Sequence, residues 1–223
     1  MSTRETRLPE LWDLVWQNTV STLWIVALVM LIGGLLGLLL GVGLYVSRPG
    51  GLYQNKVVSA VLNVLVNFFR PIPFVILIAA VQPAARAVVG TGIGNRALVF
   101  AMVVGSMFAI ARIVEQNLVT VQPGVIEAAR SMGASRLRIL RTVALPEALG
   151  PLVLGYTFAF VAVIDMQAIA SVIGGDGIGG FALQYGYRQF DTVVTWTAVV
   201  IIVVIVQLVQ FGGNRLARHF LRR

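Results

Sequence analysis

From Val20 to Val46 the chain carries no charged residue. A membrane helix needs about 20 consecutive apolar residues, so this run can cross a bilayer. It is too long for the apolar core of a signal peptide, and no small-residue cleavage site follows it. Four further runs have the same character. Val57 to Val81 is interrupted by Arg70, Pro71 and Pro73. Ala97 to Val119 is free of charge as far as Ala111. Ala148 to Ile173 contains Asp165, and Thr192 to Asn214 is again uncharged. These runs predict an all-α integral membrane protein with five transmembrane helices. Composition agrees: 58% of residues are hydrophobic and 12% charged, against about 45–50% and 25% in soluble domains.

With an odd number of spans the termini lie on opposite sides, and basic residues choose between them. Arg48, Lys56, Arg112, Arg130, Arg136, Arg138, Arg141, Arg215, Arg218, Arg222 and Arg223 fall on one side. Arg4, Arg7, Arg86, Arg96 and Arg188 fall on the other. Cytoplasmic loops collect Lys and Arg, so the larger set predicts an outside N-terminus and a cytoplasmic C-terminus. The expected organisation is an extracytoplasmic segment 1–18, a transmembrane domain 19–213 with one long cytoplasmic loop at 120–147, and a basic tail 214–223. The net charge of +8 then matches anionic headgroups rather than nucleic acid.

Several chemistries are excluded. There is no cysteine, and the only histidine is His219, so neither a thiolate or histidine metal cluster nor a catalytic triad is available. The only lysine, Lys56, has no Walker-type glycine loop around it. No cofactor is expected.

The loop 120–147 reads as ordered. Pro123 suits a first helical turn, and Val125, Ile126, Ala128, Ala129 and Met132 follow at helical spacing. Glu127, near that helix start, suits its positive end. Gly133 suits a left-handed C-cap. Ser135 can cap a second helix, with Leu137, Ile139, Leu140 and Val143 on one side and Arg136, Arg138 and Arg141 on the other. Pro146 ends that helix or begins the next. Pattern alone leaves two readings open: a helix pair lying on lipid, or a docking element for a cytoplasmic partner.

Glu127-Ala128-Ala129, then three residues, Gly133, nine residues, Val143, one residue and Leu145-Pro146 resembles the EAA loop of binding-protein-dependent ABC importer permeases. Only valine for isoleucine departs from the usual pattern. The wider chain is similar to the methionine-uptake permeases of the type I importer fold, through Leu44 to Gly50, Asn67 to Phe74, Ala111 to Asn117 and Gln184 to Tyr187. Two positions differ from that group: Pro71 stands where serine is usual, and Asp165 where a small or neutral residue is.

The resemblance implies a bacterial cell-membrane permease subunit that is not itself an enzyme. It implies a second copy of the chain, two ATP-binding cassette subunits and an extracytoplasmic substrate-binding lipoprotein as partners, with a methionine-like amino acid as substrate. It makes Glu127, Ala128, Ala129, Gly133, Leu145 and Pro146 the coupling residues. Arg70, Pro73, Asp165, Met166 and Ile169 are the candidate pathway residues. Arg70 with its two prolines should bend the second span, since each proline removes a backbone donor. Asp165 should avoid lipid, where an aspartate costs about 2.5–3.5 kcal/mol at a helix centre. It would meet either the substrate amine or a structural partner such as Arg70.

Other functions stay in view: an ABC permease for another amino acid or small solute, a proton-coupled secondary carrier using Asp165 and Arg70, or a membrane enzyme. Gly33, Gly37 and Gly41 have small-xxx-small spacing, which fits packing within one subunit or a dimer contact. The run Gly174 to Gly180 is glycine-rich and reads as a tight turn on the outer side. Phe181, Tyr185, Tyr187 and Phe190 after it suit an interface belt. Met102, Met107, Phe108 and Met166 suit packing or an apolar pocket.

Overall fold

A computed structural model describes residues 6–169 and 173–221. Arg4, Arg222 and Arg223 of the charge comparison, and positions 170–172 near the end of the fourth run, lie outside the described residues. The described residues contain helices and no strand. The helices are α1 Trp12–Ser47, α2 Lys56–Phe69, α3 Phe74–Val89, α4 Gly94–Val119, α5 Pro123–Ser131, α6 Arg136–Ile139, α7 Leu145–Glu147, α8 Leu149–Ala168, α9 Ile178–Phe181 and α10 Thr192–Leu221. Two π-helical segments, Leu140–Ala144 and Ala182–Tyr187, join α6 to α7 and follow α9.

Four helices, α1, α4, α8 and α10, are long and apolar enough to cross a membrane; there are five spans if α2 and α3 count as one broken span. The break falls where the prolines predicted it: α2 stops at Phe69 and α3 restarts after Pro73. α1 begins at Trp12, eight residues before Val20, where the first expected span starts. Gln17, Asn18 and Thr19 continue the helix, and the last two bond back to the carbonyls of Leu14 and Val15.

The chain divides into two compact units, residues 1–32, 73–104 and 160–209 in one and 33–72, 105–159 and 210–223 in the other. In the first unit Val26 and Val29 of α1 pack with Leu98 and Met102 of α4 and Val163 and Ile164 of α8. A second cluster joins Leu11 and Val15 to Ile178, Phe181, Val194 and Ala198. The glycine-rich run is held by side chains from three helices. The Gly177 N–H donates to Asn18 Oδ1 (2.9 Å), the Ile178 N–H to Thr22 Oγ1 (2.9 Å) and Gln167 Nε2 to the Asp176 carbonyl (2.7 Å). Asn95 exchanges two bonds with Asp176.

The turn before α10 is pinned separately. The Asp191 carboxylate accepts from the Thr6 hydroxyl and from the backbone N–H groups of Arg7, Val193 and Val194. Burial alone would raise its pKa, but these donors outweigh that and hold it below 3.8. Of the four aromatic residues expected in an interface belt, Tyr187 and Phe190 are exposed. Phe181 is buried and lies 5.2 Å from the Tyr185 ring.

In the second unit the glycines of α1 let helices meet. A methyl group at Gly37 would lie 2.7 Å from Ile110 Cβ, and one at Gly41 would lie 2.5 Å from the Ala111 carbonyl oxygen. Gly34 sits under Tyr156, whose hydroxyl donates to the Gly34 carbonyl (2.8 Å). Lipid tails are as apolar as leucine, so close van der Waals approach and interhelical hydrogen bonds carry the association. The packing role of Gly37 and Gly41 is therefore within the chain. Phe108 stacks on Phe69 with ring centroids 4.5 Å apart, and Met102 is fully buried; both are packing residues.

Candidate functional site

The loop 120–147 lies wholly within the second unit. Its first helix, α5, starts with Pro123 at a position that needs no N–H donor. It ends in a Schellman turn. The Ala134 N–H donates to the Ala129 carbonyl (3.1 Å) and the Gly133 N–H to the Arg130 carbonyl (3.0 Å), the two bonds that define this motif. Gly133 has φ +78°, as its role as a C-cap requires. Ser135 then caps α6 by accepting from the Arg138 N–H (3.4 Å).

Facing differs from the sequence reading. Ala129 is buried within the loop, with Ile139, Leu140 and Ala144, while Val125, Ala128 and Met132 are exposed, Met132 at 81%. These three positions recur at i, i+3 and i+7, so α5 presents one apolar stripe inward and another outward. Glu127 is the fifth residue of α5, beyond the first turn where a helix dipole acts; it is exposed beside the outward stripe. Leu145 and Pro146 stand in a short helix directly after the π-helical segment. Pro146 has no N–H, and the altered spacing before it falls where an α-helical bond would be missing.

Arg130, Arg136, Arg138 and Arg141 are all exposed and make no ion pair among the described residues. The Arg136 guanidinium lies over the Tyr53 ring at 5.6 Å, tying the loop to the turn before α2.

The pathway candidates are less concentrated. Arg70 is the exposed C-cap residue of α2, and Pro73 the N-cap residue of α3. On α8 Asp165 is exposed and makes no hydrogen bond or ion pair among the described residues, whereas Met166 packs on the first unit's core. Ile169 is half-buried just past the helix end.

One polar group escaped the sequence reading. Arg112, counted above with the cytoplasmic charges at the end of the third apolar run, lies inside α4. It pairs with Glu115 and donates to Asn63 (3.2 Å) and Asn67 (2.7 Å) of α2. The i,i+3 charge pair and the i,i+4 asparagines were its only signal.

Residues 33–223 match the family described as binding-protein-dependent transport system inner membrane component. The chain belongs to this family. It is 37% identical over 207 residues to the probable D-methionine transport system permease protein MetI of Vibrio cholerae, covering 93% of this chain and 92% of the relative. It is 42% identical over 171 residues to the methionine import system permease protein MetP of Bacillus subtilis, covering 77% of each. Among solved structures, a chain of the MetNI methionine ABC transporter in inward-facing conformations matches with a TM-score of 0.90 at 37% identity, covering 99% of both chains. The fold is thus that of a type I importer permease. The likeness to these permeases covers 93% of the chain in the Vibrio cholerae relative and 99% in the solved structure.

Proposed function

We propose that this chain is the permease subunit of an ATP-binding cassette importer for methionine, as the D or L form or a close derivative. Two copies form the translocation pathway. Two ATP-binding cassette subunits bind the 120–147 loops, and an extracytoplasmic lipoprotein delivers the amino acid. The chain hydrolyses no ATP itself. The N-terminal segment 1–18 faces outward, the transmembrane domain is 19–213, and the tail 214–223 is cytoplasmic.

The observation that carries this reading is the outward stripe of α5. A short amphipathic helix with an exposed Val125–Ala128–Met132 edge, a motif glutamate beside it and a Schellman turn fixing its end is a rigid knob for a groove on a partner. The small side chain of Ala128 on the outward face keeps the knob narrow. When nucleotide draws the two ATPase subunits together, α5 moves with them. The helices joined to it through Leu145 and Pro146 then turn the pathway from inward to outward access.

Within the first unit we assign Asp165 the contact with the substrate ammonium, with Pro73, Met166 and Ile169 as further pathway residues; Arg70, in the second unit, is assigned to the pathway separately. An exposed carboxylate on a membrane-spanning helix must face water or the second copy rather than lipid.

The test is uptake by proteoliposomes holding the chain, its ATPase subunit and its binding protein, across a panel of labelled amino acids. Methionine uptake that requires ATP is expected. Uptake driven by a proton gradient without ATP would make the chain a secondary carrier, and ATP-driven uptake of a different amino acid would overturn the substrate. Because the chain has no cysteine, Arg138→Cys and Arg188→Cys report topology directly. Both positions are exposed, and labelling of position 138 from the cytoplasm only and of 188 from outside only is expected. The reverse pattern would invert the orientation and remove the coupling argument.

A further inference from the structure

In the first unit, one face of α1, the end of α3 and the start of α4 enclose a groove of about 310 Å³. Its walls are apolar, formed by Trp24, Leu28, Val89 and Val99, and its polar end holds Asn95 and Arg96. Trp24 is 65% exposed. The Asn95 side chain is committed, since its amide donates to the Asp176 carboxylate (2.8 Å) and its carbonyl oxygen accepts from the Asp176 N–H (2.8 Å). Arg96 is exposed and makes no hydrogen bond or ion pair among the described residues. The groove therefore joins one unengaged guanidinium to an apolar trough.

The placement along the helices matters as much as the lining. Arg96 immediately precedes the charge-free run of α4 that starts at Ala97, so it stands at the edge of the apolar zone. Val99 lies about one helical turn further in, and Leu28 lies one turn from Trp24 on α1. Tryptophan is enriched at headgroup level, and a guanidinium grips phosphate through paired N–H donors.

We propose that this groove binds an anionic phospholipid of the bilayer, with its phosphate on Arg96 and an acyl chain along Trp24, Leu28 and Val99. A zwitterionic lipid offers the same phosphate but places an ammonium beside the arginine, so the site selects a net negative headgroup. The site requires neither methionine as the substrate nor the coupling role of α5. It gives this subunit a dependence on lipid composition that is separate from transport chemistry.

The test uses the assembled complex in nanodiscs, with Phe replacing Trp12, Trp16 and Trp196 and every tryptophan of the ATPase subunit and of the nanodisc scaffold, so that Trp24 alone fluoresces. Phosphatidylglycerol or phosphatidylcholine with brominated acyl chains is added at equal mole fraction. Stronger quenching of Trp24 by the brominated phosphatidylglycerol is expected. Arg96→Gln should weaken that preference roughly tenfold, the size of one charge-assisted contact, and Arg96→Lys should keep part of it. Leu28→Phe, which fills the trough, should reduce quenching by both lipids. Equal quenching by the two lipids in the otherwise unaltered groove would reduce it to ordinary annular lipid and overturn the proposal. Absence of quenching by either, with a disulfide formed between copies through Leu28→Cys, would show a second subunit seated there and overturn it equally.

Discussion

Two glycine turns in this chain solve different problems. Gly133, at the end of α5, has φ +78° and open space where a Cβ would go. Gly177, in the glycine-rich run before α9, has φ +144°, and the buried amide of Gln167 occupies that space, 1.6 Å from where a Cβ would stand. The first glycine is required by the backbone alone and leaves the surface around it free for another molecule. The second is required by backbone and packing together, and its loop is tied down by Asn18, Thr22 and Gln167. The exposed element, proposed above to meet a partner, is shaped locally by its own chain. An element that fixes the ends of several helices is shaped by residues distant in sequence.

The sharpest way to break this comparison is Gly177→Ala. The methyl must displace Gln167 and hold an unfavourable φ, so a loss of roughly 2–4 kcal/mol is expected, read as the lowest thermal midpoint in the series. A midpoint equal to the unaltered protein would mean that the loop can open freely. Gln167→Leu comes next. It removes the donor to the Asp176 carbonyl and leaves that carbonyl without this partner, for a loss of about 1–3 kcal/mol on the same thermal assay. Gly133→Ala should cost only the left-handed backbone penalty of about 1–2 kcal/mol, confined to the end of α5. Its effect should appear as faster amide exchange at Gly133 and Ala134, with little change in global midpoint. A global loss as large as that of Gly177→Ala would erase the distinction.

The smallest effect concerns the turn before α10. The Asp191 pKa is held below its ordinary 3.8 by four donors, so its folded form favours the carboxylate. A depressed carboxylate contributes stability fully above the unfolded pKa and loses it as pH falls through the folded value. Asp191→Asn should therefore lower the midpoint slightly at neutral pH. The difference from the unaltered chain should begin to shrink below about pH 4 and vanish only once the pH lies below the depressed folded value. A difference that persists there would place the contribution in hydrogen-bond geometry rather than charge.

The sequence revealed those features that depend on composition along one stretch. Five apolar runs located the spans, Pro71 and Pro73 located the break between α2 and α3, and Gly133 located the Schellman turn. Pairings across long separations were not legible. Nothing in the neighbourhood of Gln167 announces that its amide meets Asp176, or that Thr22 meets Ile178. The start of α1 at Trp12 was hidden because Gln17, Asn18 and Thr19 read as polar, although two of them bond back into their own helix. In α5 the apolar positions were legible but their sides were not. Apolar side chains fall on both stripes of this nine-residue helix, so only the folded loop separates inward Ala129 from outward Ala128. The substrate assignment rests on relatedness, since one Asp165 on α8, without an ion pair among the described residues, does not by itself choose among amino acids.

The outward stripe of α5 is proposed to carry force from the ATPase subunit, and one paired measurement tests that role. Ala128→Glu places a charge on the exposed stripe and leaves the inward side of the loop untouched. The membrane-inserted chain is purified through its own tag, the co-purified ATPase subunit is quantified, and ATP-driven methionine uptake is measured on the same preparation. Normal insertion is expected, with at least tenfold less bound ATPase subunit, equivalent to about 1.4 kcal/mol, and uptake reduced in proportion. Unchanged ATPase binding and unchanged uptake in Ala128→Glu would contradict that role and would assign the loop to the lipid surface instead.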